Sequence, residues 1–289
     1  IGAGDVLFTP NFAPREEYSA ALDRGVRLTI DNAWAVHQWP ELFAGRDVFL
    51  RIDLEAGYGH HRKVVTAGSD SKFGISRADI EGVVEVLSGQ GARVTGLHSH
   101  TGSGVNEVTA WREQLERFIE ILPLFPDVRV LDLGGGLGVP DRPGKPSFDL
   151  GRLDGVLRET IGERDIELWL EPGRYLVAES GVLLSRVTQL KTKGQHRYLG
   201  LATGMNSLIR PALYGAYHEI VNLSRLQEEA TVDYRVVGPI CESGDVLGES
   251  RLLPGSAEGD IVLVANAGAY GHVMASNYNR RQPAEELVI

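Results

Sequence analysis

From its start to about residue 173 the chain alternates short apolar runs with amphipathic stretches. The runs at 6–9, 26–30, 48–54, 94–97, 128–133 and 166–170 are short and mainly apolar, as parallel strands covered on both faces are. Between them, residues 77–87 and 108–122 bring apolar positions back at helical spacing, which predicts helices and therefore βα units. After residue 181 the pattern changes. Runs rich in Val, Ile, Leu, Tyr and Thr at 182–190, 198–201, 217–223, 231–237 and 261–264 are separated by turn residues, which predicts a mainly β half. We expect a (β/α)8 barrel domain over 1–178 followed by a β-rich domain over 179–289. Six strands fall short of the eight that a closed barrel needs. Either the sheet is open and doubly wound, or two strands precede residue 1; the opening IGAGDVLFTP, without methionine, favours the second and an incomplete barrel.

In a barrel, chemistry gathers at the carboxyl ends of the strands. Those ends carry Asn11, Asp31, Asp53, His98 with His100, Asp132 and Glu171. Composition narrows what that chemistry serves. Over 289 residues the chain is 43% hydrophobic and 24% charged with a net charge of −10, a balance that excludes disorder and gives no basic patch for nucleic acid or an anionic membrane. No signal peptide opens the chain, and Cys241 is the single cysteine, so no internal disulfide forms and a reducing, cytoplasmic setting fits.

Four segments carry candidate chemistry. In LDLGGGLG (131–138), Gly134, Gly135 and Gly136 follow an apolar run; successive glycine N–H groups cradle a phosphate, or they simply make a turn. LHSHTGSG (97–104) sets His98 and His100 two apart, on one side of a strand. With no third clustered ligand the pair reads poorly as a zinc site, and we expect no metal. A ring that stacks on a planar cofactor suits the segment better; one core and one surface histidine is the plain reading. WLEPGRY (169–175) puts Glu171 at a strand end, where it is a solvated end group, half of an ion pair with Arg174, or an anion for a heterocyclic nitrogen. GPICESGDVLG (238–248) places Cys241 beside Glu242 in a glycine-bounded turn; the thiol is either buried and inert or a proton donor.

Read together with SKFGIS (71–76), EPGRYLVAESG (171–181), RPALYGAYHEI (210–220) and GAYGHVMASNYNRRQPAE (268–285), these motifs stand in the order and spacing of the fold type III decarboxylases that use pyridoxal 5′-phosphate. The chain resembles the diaminopimelate decarboxylase branch more than the ornithine or arginine branch, over essentially its whole length. The resemblance implies a (β/α)8 barrel, a β domain and a homodimer with composite sites. It implies that His100 stacks on the cofactor ring, that Ser103, Gly134, Gly135, Gly136 and Tyr270 hold the phosphate, and that Glu171 pairs with the ring nitrogen. It gives Arg174, Arg210 and Tyr214 to the substrate carboxylate, Arg174 also standing among the cofactor contacts. Cys241 and Glu242 come from the opposite subunit, Cys241 as the acid that returns a proton.

The implied reaction is decarboxylation of meso-diaminopimelate to L-lysine. Decarboxylation of arginine, ornithine or carboxynorspermidine, and an inactive regulatory relative, stay open as alternatives. Two departures stand out. Ala202, Thr203 and Gly204 occupy positions where related chains often carry Asp-Ala-Gly. The family's cofactor lysine lies in a first-strand sequence like YAxKAN, which this chain lacks; its lysines are Lys63, Lys72, Lys145, Lys191 and Lys193. The chain as it stands is therefore expected to bind the cofactor weakly and not to decarboxylate.

Overall fold

The computed structural model describes residues 1–55 and 71–289; Lys63 lies outside them. The chain divides into two compact units, Ile1–Gly138 with Phe148–Pro172 and Val139–Ser147 with Gly173–Ile289.

In the first unit, strands β1 (Leu7–Phe8), β2 (Arg27–Ile30), β3 (Asp47–Arg51), β4 (Arg93–His98), β5 (Val130–Asp132) and β6 (Glu167–Trp169) pair in sequence order, each parallel to the last. Helices α1 (Arg15–Asp23), α2 (Ala33–Gln38), α3 (Ile80–Gly89), α4 (Val108–Ile121) and α5 (Leu150–Ile161) lie between them. All six apolar runs of the first half appear as strands. Sequential order of parallel strands is what consecutive βα units of a barrel give. The strands are buried because helices cover them: α4 buries Trp111, Leu115, Phe118 and Ile121, and α5 buries Leu153, Leu157 and Ile161, the three- and four-residue spacing of an apolar stripe. Two helices start on a side-chain cap. Asn32 accepts from the Trp34 N–H at 2.9 Å and Asp149 from the Arg152 N–H at 2.8 Å, relieving donors that a first turn leaves unpaired.

The second unit contains the short helix α6 (Gly173–Val177). Its sheet contains β7 (Leu183–Lys193), β8 (His196–Leu201), β9 (Ile220–Asn222), β10 (Val232–Val237), β11 (Val246–Leu253) and β12 (Ile261–Val264), ordered β11-β10-β8-β7-β12-β9. Helix α7 (Arg210–Tyr214) interrupts it. The core is aliphatic, with Val187, Leu199, Val236, Leu247, Val262 and Val264 fully enclosed. Two elements differ from the sequence pattern. The run at 217–223 shortens to β9, because Tyr217 and His218 are taken up by side-chain contacts described below. Strand β11 was concealed in a segment rich in turn residues; it forms by antiparallel pairing with β10, a long-range partnership that local composition does not show.

The polar ends of the first unit's strands fall into register. Arg51 pairs with His98, His98 with Asp132, and Asp132 with Trp169, so these residues share one level of the sheet. Asp31, just past β2, closes the row. Its Oδ1 accepts from Arg51 Nη1 at 3.2 Å, with side-chain exposures of 1% and 8%, and from the Gly74 N–H at 3.1 Å. The SKFGIS segment thus feeds this row, with Phe73 also lying under the Arg51 guanidinium. Burial raises the Asp31 carboxyl above its ordinary range, opposed by Arg51 and the Gly74 amide.

Removing one partner of a buried ion pair strands the other charge. Arg51→Met should therefore lower unfolding stability by about 3–5 kcal/mol, read as a shift of the urea midpoint; a change within error would show that the pair does not hold the row.

Candidate functional site

The loops that follow β4, β5 and β6 are laced together by backbone bonds. Ser99 N–H donates to Asp132 O at 3.0 Å, Leu133 N–H to Trp169 O at 3.0 Å, and Glu171 N–H to Gly134 O at 2.9 Å. From α4, the buried Gln114 donates both hydrogens of its amide nitrogen, to Ser99 O at 3.0 Å and Leu133 O at 2.9 Å, satisfying carbonyls that burial would otherwise leave unpaired. These bonds set the positions of His100, the glycine loop and Glu171.

The glycines are demanded by close backbone approach. A Cβ at Gly135 would stand 2.4 Å from Glu171 O, and one at Gly136 would stand 2.4 Å from Gly102 O, with φ at +111°. Only glycine tolerates both the space and the dihedral. Two of the loop's amides are engaged within the protein. Gly134 N–H donates to Asp132 Oδ1 at 2.9 Å, and Gly135 N–H donates to His100 Nδ1 at 3.1 Å.

That second bond decides the state of His100. Burial, reinforced by His98 and Arg51, lowers its pKa to about 4, against the opposing effects of Glu171 and the Gly135 amide. The ring is then neutral at pH 7, with Nδ1 the acceptor and the proton on Nε2. Its half-buried plane is fixed by the glycine loop. Ser103 is half-buried in the same loop after β4.

Glu171 pairs with His98 rather than standing as a solvated end group: His98 Nε2 lies 3.4 Å from Glu171 Oε2, with His98 sealed and Glu171 40% exposed. Burial pushes the Glu171 carboxyl up, but the His98 hydrogen bond and the charges of His98, His100 and Arg51 outweigh it and bring it below its ordinary value. Asp132 goes the other way. Burial, with Glu171 beside it, raises it to about 6 against His98 and the Gly134 amide. Ligand atoms of His98, Asp132 and Glu171 lie within 4.8 Å of one another, so the donor set is one His and two carboxylates in a single nest.

In the second unit, Arg210 and Tyr214 sit at the two ends of α7, four residues apart on one helical turn. Arg210 is buried, and its Nη1 donates to His218 Nε2 at 3.2 Å while His218 Nδ1 donates to Ala265 O at 2.8 Å. Burial first, then the nearby Arg174, lowers Arg210 to about 10, with Tyr214 and Tyr270 opposing. His218 is lowered to about 4 by burial, opposed by Ala265 and aided by Arg210, so the ring that Arg210 bonds is neutral. The Arg174 guanidinium lies 5.8 Å from the Tyr270 ring centre. Two guanidinium groups and two phenols in one cluster make a receptor for carboxylate or phosphate.

Cys241 and Glu242 lie in the exposed loop between β10 and β11. Asp245 clamps that loop, accepting from the Met205 N–H at 2.6 Å and the Ile240 N–H at 2.7 Å, while Cys241 N–H donates to Asn279 Oδ1 at 2.7 Å. The thiol is exposed, so the buried and inert alternative does not hold. Of the described lysines, Lys72 lies 5.1 Å from the Phe73 ring centre and Lys145 pairs with Asp141 at 2.6 Å, while Lys191 and Lys193 belong to β7. Sequence reasoning missed Arg51, Gln114 and His218. A polar residue on the apolar stripe of α4 was a usable signal for Gln114; the other two needed the register.

Residues 1–178 match the pyridoxal-dependent decarboxylase family, pyridoxal binding domain. The chain is 33% identical over 297 residues to the diaminopimelate decarboxylase of Methanothermobacter thermautotrophicus, covering 98% of this chain and 69% of that one. It is 35% identical over 298 residues to that of Pseudomonas fluorescens, covering 99% and 71%. Among solved structures, a variant of Helicobacter pylori diaminopimelate decarboxylase complexed with L-lysine superposes with a TM-score of 0.90 at 26% identity, covering 98% of this chain and 73% of that one.

The electrostatics give a direct check. The unfolded chain protonates its histidines near 6.5 but the folded His100 only near 4, so this residue withdraws stability as pH falls from 6.5 towards 4. Histidine-selective NMR should show the His100 ring neutral, with no titration step above about pH 5; a step near 6.5 would contradict the Gly135 bond and the burial together.

Proposed function

The chain belongs to the pyridoxal-dependent decarboxylase family, grouping there with the diaminopimelate decarboxylases, and on that premise we propose that it converts meso-2,6-diaminopimelate to L-lysine and carbon dioxide. The observation that carries this reading is that the first unit holds both an accessible Glu171, bonded to His98, and the neutral ring of His100, fixed by the Gly135 amide. The residues fit pyridoxal 5′-phosphate. A protonated ring nitrogen needs an anion, a planar ring needs a flat partner that does not repel it, and side-chain-free glycines allow close approach. When bound, the cofactor supplies a sink for the electron pair left on the α-carbon as carbon dioxide departs.

The chain's own residues do the rest. Glu171 holds a positive charge at the ring nitrogen, because an opposite charge nearby favours the charged form. His100 covers the ring face. Ser103, Gly134, Gly135, Gly136 and Tyr270 hold the phosphate; the Gly134 and Gly135 amides would exchange their internal acceptors to do so. Arg210 and Tyr214, with Arg174, take the substrate carboxylate that stays, and a buried guanidinium bonded to a neutral imidazole supports that role. Glu242 takes the distal ammonium. Cys241, exposed on its loop, returns a proton to the α-carbon.

We further assign the protein to a homodimer in which Cys241 and Glu242 serve the partner's site, and to the cytoplasm, where a lone exposed thiol persists. Among the described residues no helix is long and apolar enough to cross a membrane.

The test is product analysis. This chain alone, without a YAxKAN lysine, should give little turnover; joined to a segment that supplies that lysine, and given pyridoxal 5′-phosphate and meso-diaminopimelate, it should form lysine and carbon dioxide in equal amounts, and agmatine from arginine or putrescine from ornithine without lysine would overturn the substrate assignment. Arg210→Ala should cost about 2–5 kcal/mol in kcat/KM on diaminopimelate and little on any amine that lacks the distal carboxylate; equal losses would assign Arg210 to folding instead. Mixing Cys241→Ala with His100→Ala subunits should restore part of the activity through one intact composite site, and no recovery would remove the shared-site assignment.

A further inference from the structure

The nest of His98, Asp132 and Glu171 contains more than the cofactor reading uses. Glu171 alone would suffice to meet a ring nitrogen, yet the structure surrounds it with an imidazole and a second carboxylate whose ligand atoms all lie within 4.8 Å. His98 is 1% exposed, Asp132 is 1% exposed, and His98 Nδ1 has no hydrogen-bond partner among the described residues. A buried imidazole spends its one bond on Glu171. The row places it between Arg51 and Asp132 by register, and burial encloses its ring there.

We propose that His98 is the positioning residue for Glu171: by donating from Nε2 to one carboxylate oxygen it holds the other towards the ring nitrogen and makes Glu171, before Asp132, the carboxyl of the nest that ionises. This inference rests on the assignment of Glu171 to the ring nitrogen. Two carboxylates this close do not ionise alike, since each disfavours the charge of the other. What breaks the tie is which of them takes the imidazole. Asp132 Oδ1 already accepts the Gly134 N–H at 2.9 Å, a neutral donor tied to the glycine loop, while Glu171 has His98. Burial then carries Asp132 up to about 6 and Glu171 moves down. Pairs of acids driven apart in this way divide roles, one as a charge and one as a reservoir for a proton. The other charged and titratable groups facing the nest are Arg51, which lowers Glu171; His100, which also lowers it; and Asp31, which is coupled to both Arg51 and His98.

Two variants separate positioning from mere packing. His98→Leu removes the donor, and His98→Gln keeps an N–H donor while losing the ring. In the cofactor-free protein labelled with δ-13C glutamate, the Glu171 carboxyl resonance, assigned by its loss in Glu171→Gln, should titrate below the ordinary glutamate range in the wild type. It should move up by about one pH unit or more in His98→Leu, and by less in His98→Gln. One unit corresponds to tenfold in the balance between protonated and ionised forms, so binding of pyridoxal 5′-phosphate, followed by equilibrium dialysis as pH falls from 7 through the Glu171 midpoint, should weaken at higher pH in His98→Leu than in the wild type, by up to about tenfold at the low end, and recover in part in His98→Gln. An unmoved Glu171 midpoint in both variants overturns the inference. Should Glu171→Gln bind the cofactor as tightly as the wild type, the failure lies instead with the assignment of Glu171. If His98→Leu does not fold, His98→Gln decides alone: a Glu171 midpoint unchanged from the wild type, with binding below it, marks a packing role and overturns the proposal.

Discussion

The first unit is organised around a row of charges that the fold buries at the carboxyl edge of its sheet. Asp31, Arg51, His98 and Asp132 lie at one level on successive strands, and Glu171 joins them from the loop after β6. Burying so many ionisable groups is costly unless each finds a partner. The pairing is therefore strict: Asp31 with Arg51 and the Gly74 amide, Asp132 with the Gly134 amide, Glu171 with His98. A one-residue slip of any strand would turn its member of the row to the opposite face. The same groups that need register for their stability thereby fix the chemistry of the edge.

Neighbouring bonds carry this order outwards. Gln114 ties the loops after β4 and β5 to helix α4, and the glycine loop presses against Glu171 and Gly102 with no room for a side chain. His100 is held by the same loop, through a ring nitrogen that must remain unprotonated to accept the Gly135 N–H. Neutrality of His100 and ionisation of Glu171 thus arise together, from burial and a few directed bonds. In the second unit the equivalent device is simpler. A buried Arg210 is braced by a neutral His218, whose tautomer is set by Ala265, so the guanidinium keeps its charge for a ligand.

Several features were legible from residue order alone. Continuous apolar runs announced the six parallel strands, because strands covered on both faces carry little polar alternation. Polar residues at their ends marked the working edge. The motifs from SKFGIS to GAYGHVMASNYNRRQPAE pointed to the family and its reaction, since residue types at fixed spacing are the part of a site that sequence records directly. The shape of β11 and the shortening of 217–223 were not legible. Strand pairing is a long-range event, and Tyr217 is drawn instead between the Arg142 and Arg251 guanidinium groups.

What the sequence by itself determined is the inventory: an α/β half and a β half, a glycine loop, two histidines two apart, a glutamate before Pro172 and Gly173, and one thiol. The family resemblance singled out His100, but the environment and partners of each histidine were decided only by the tertiary structure. His98 and His100 look alike in LHSHTGSG, but strand register sends the first into the charged row and the loop after β4 sets the second against the glycines. Burial and partners, not residue type, then make one a donor to Glu171 and the other a neutral plane. Protonation depends on the local dielectric and on charges a few ångströms away, and those distances exist only once the chain has folded.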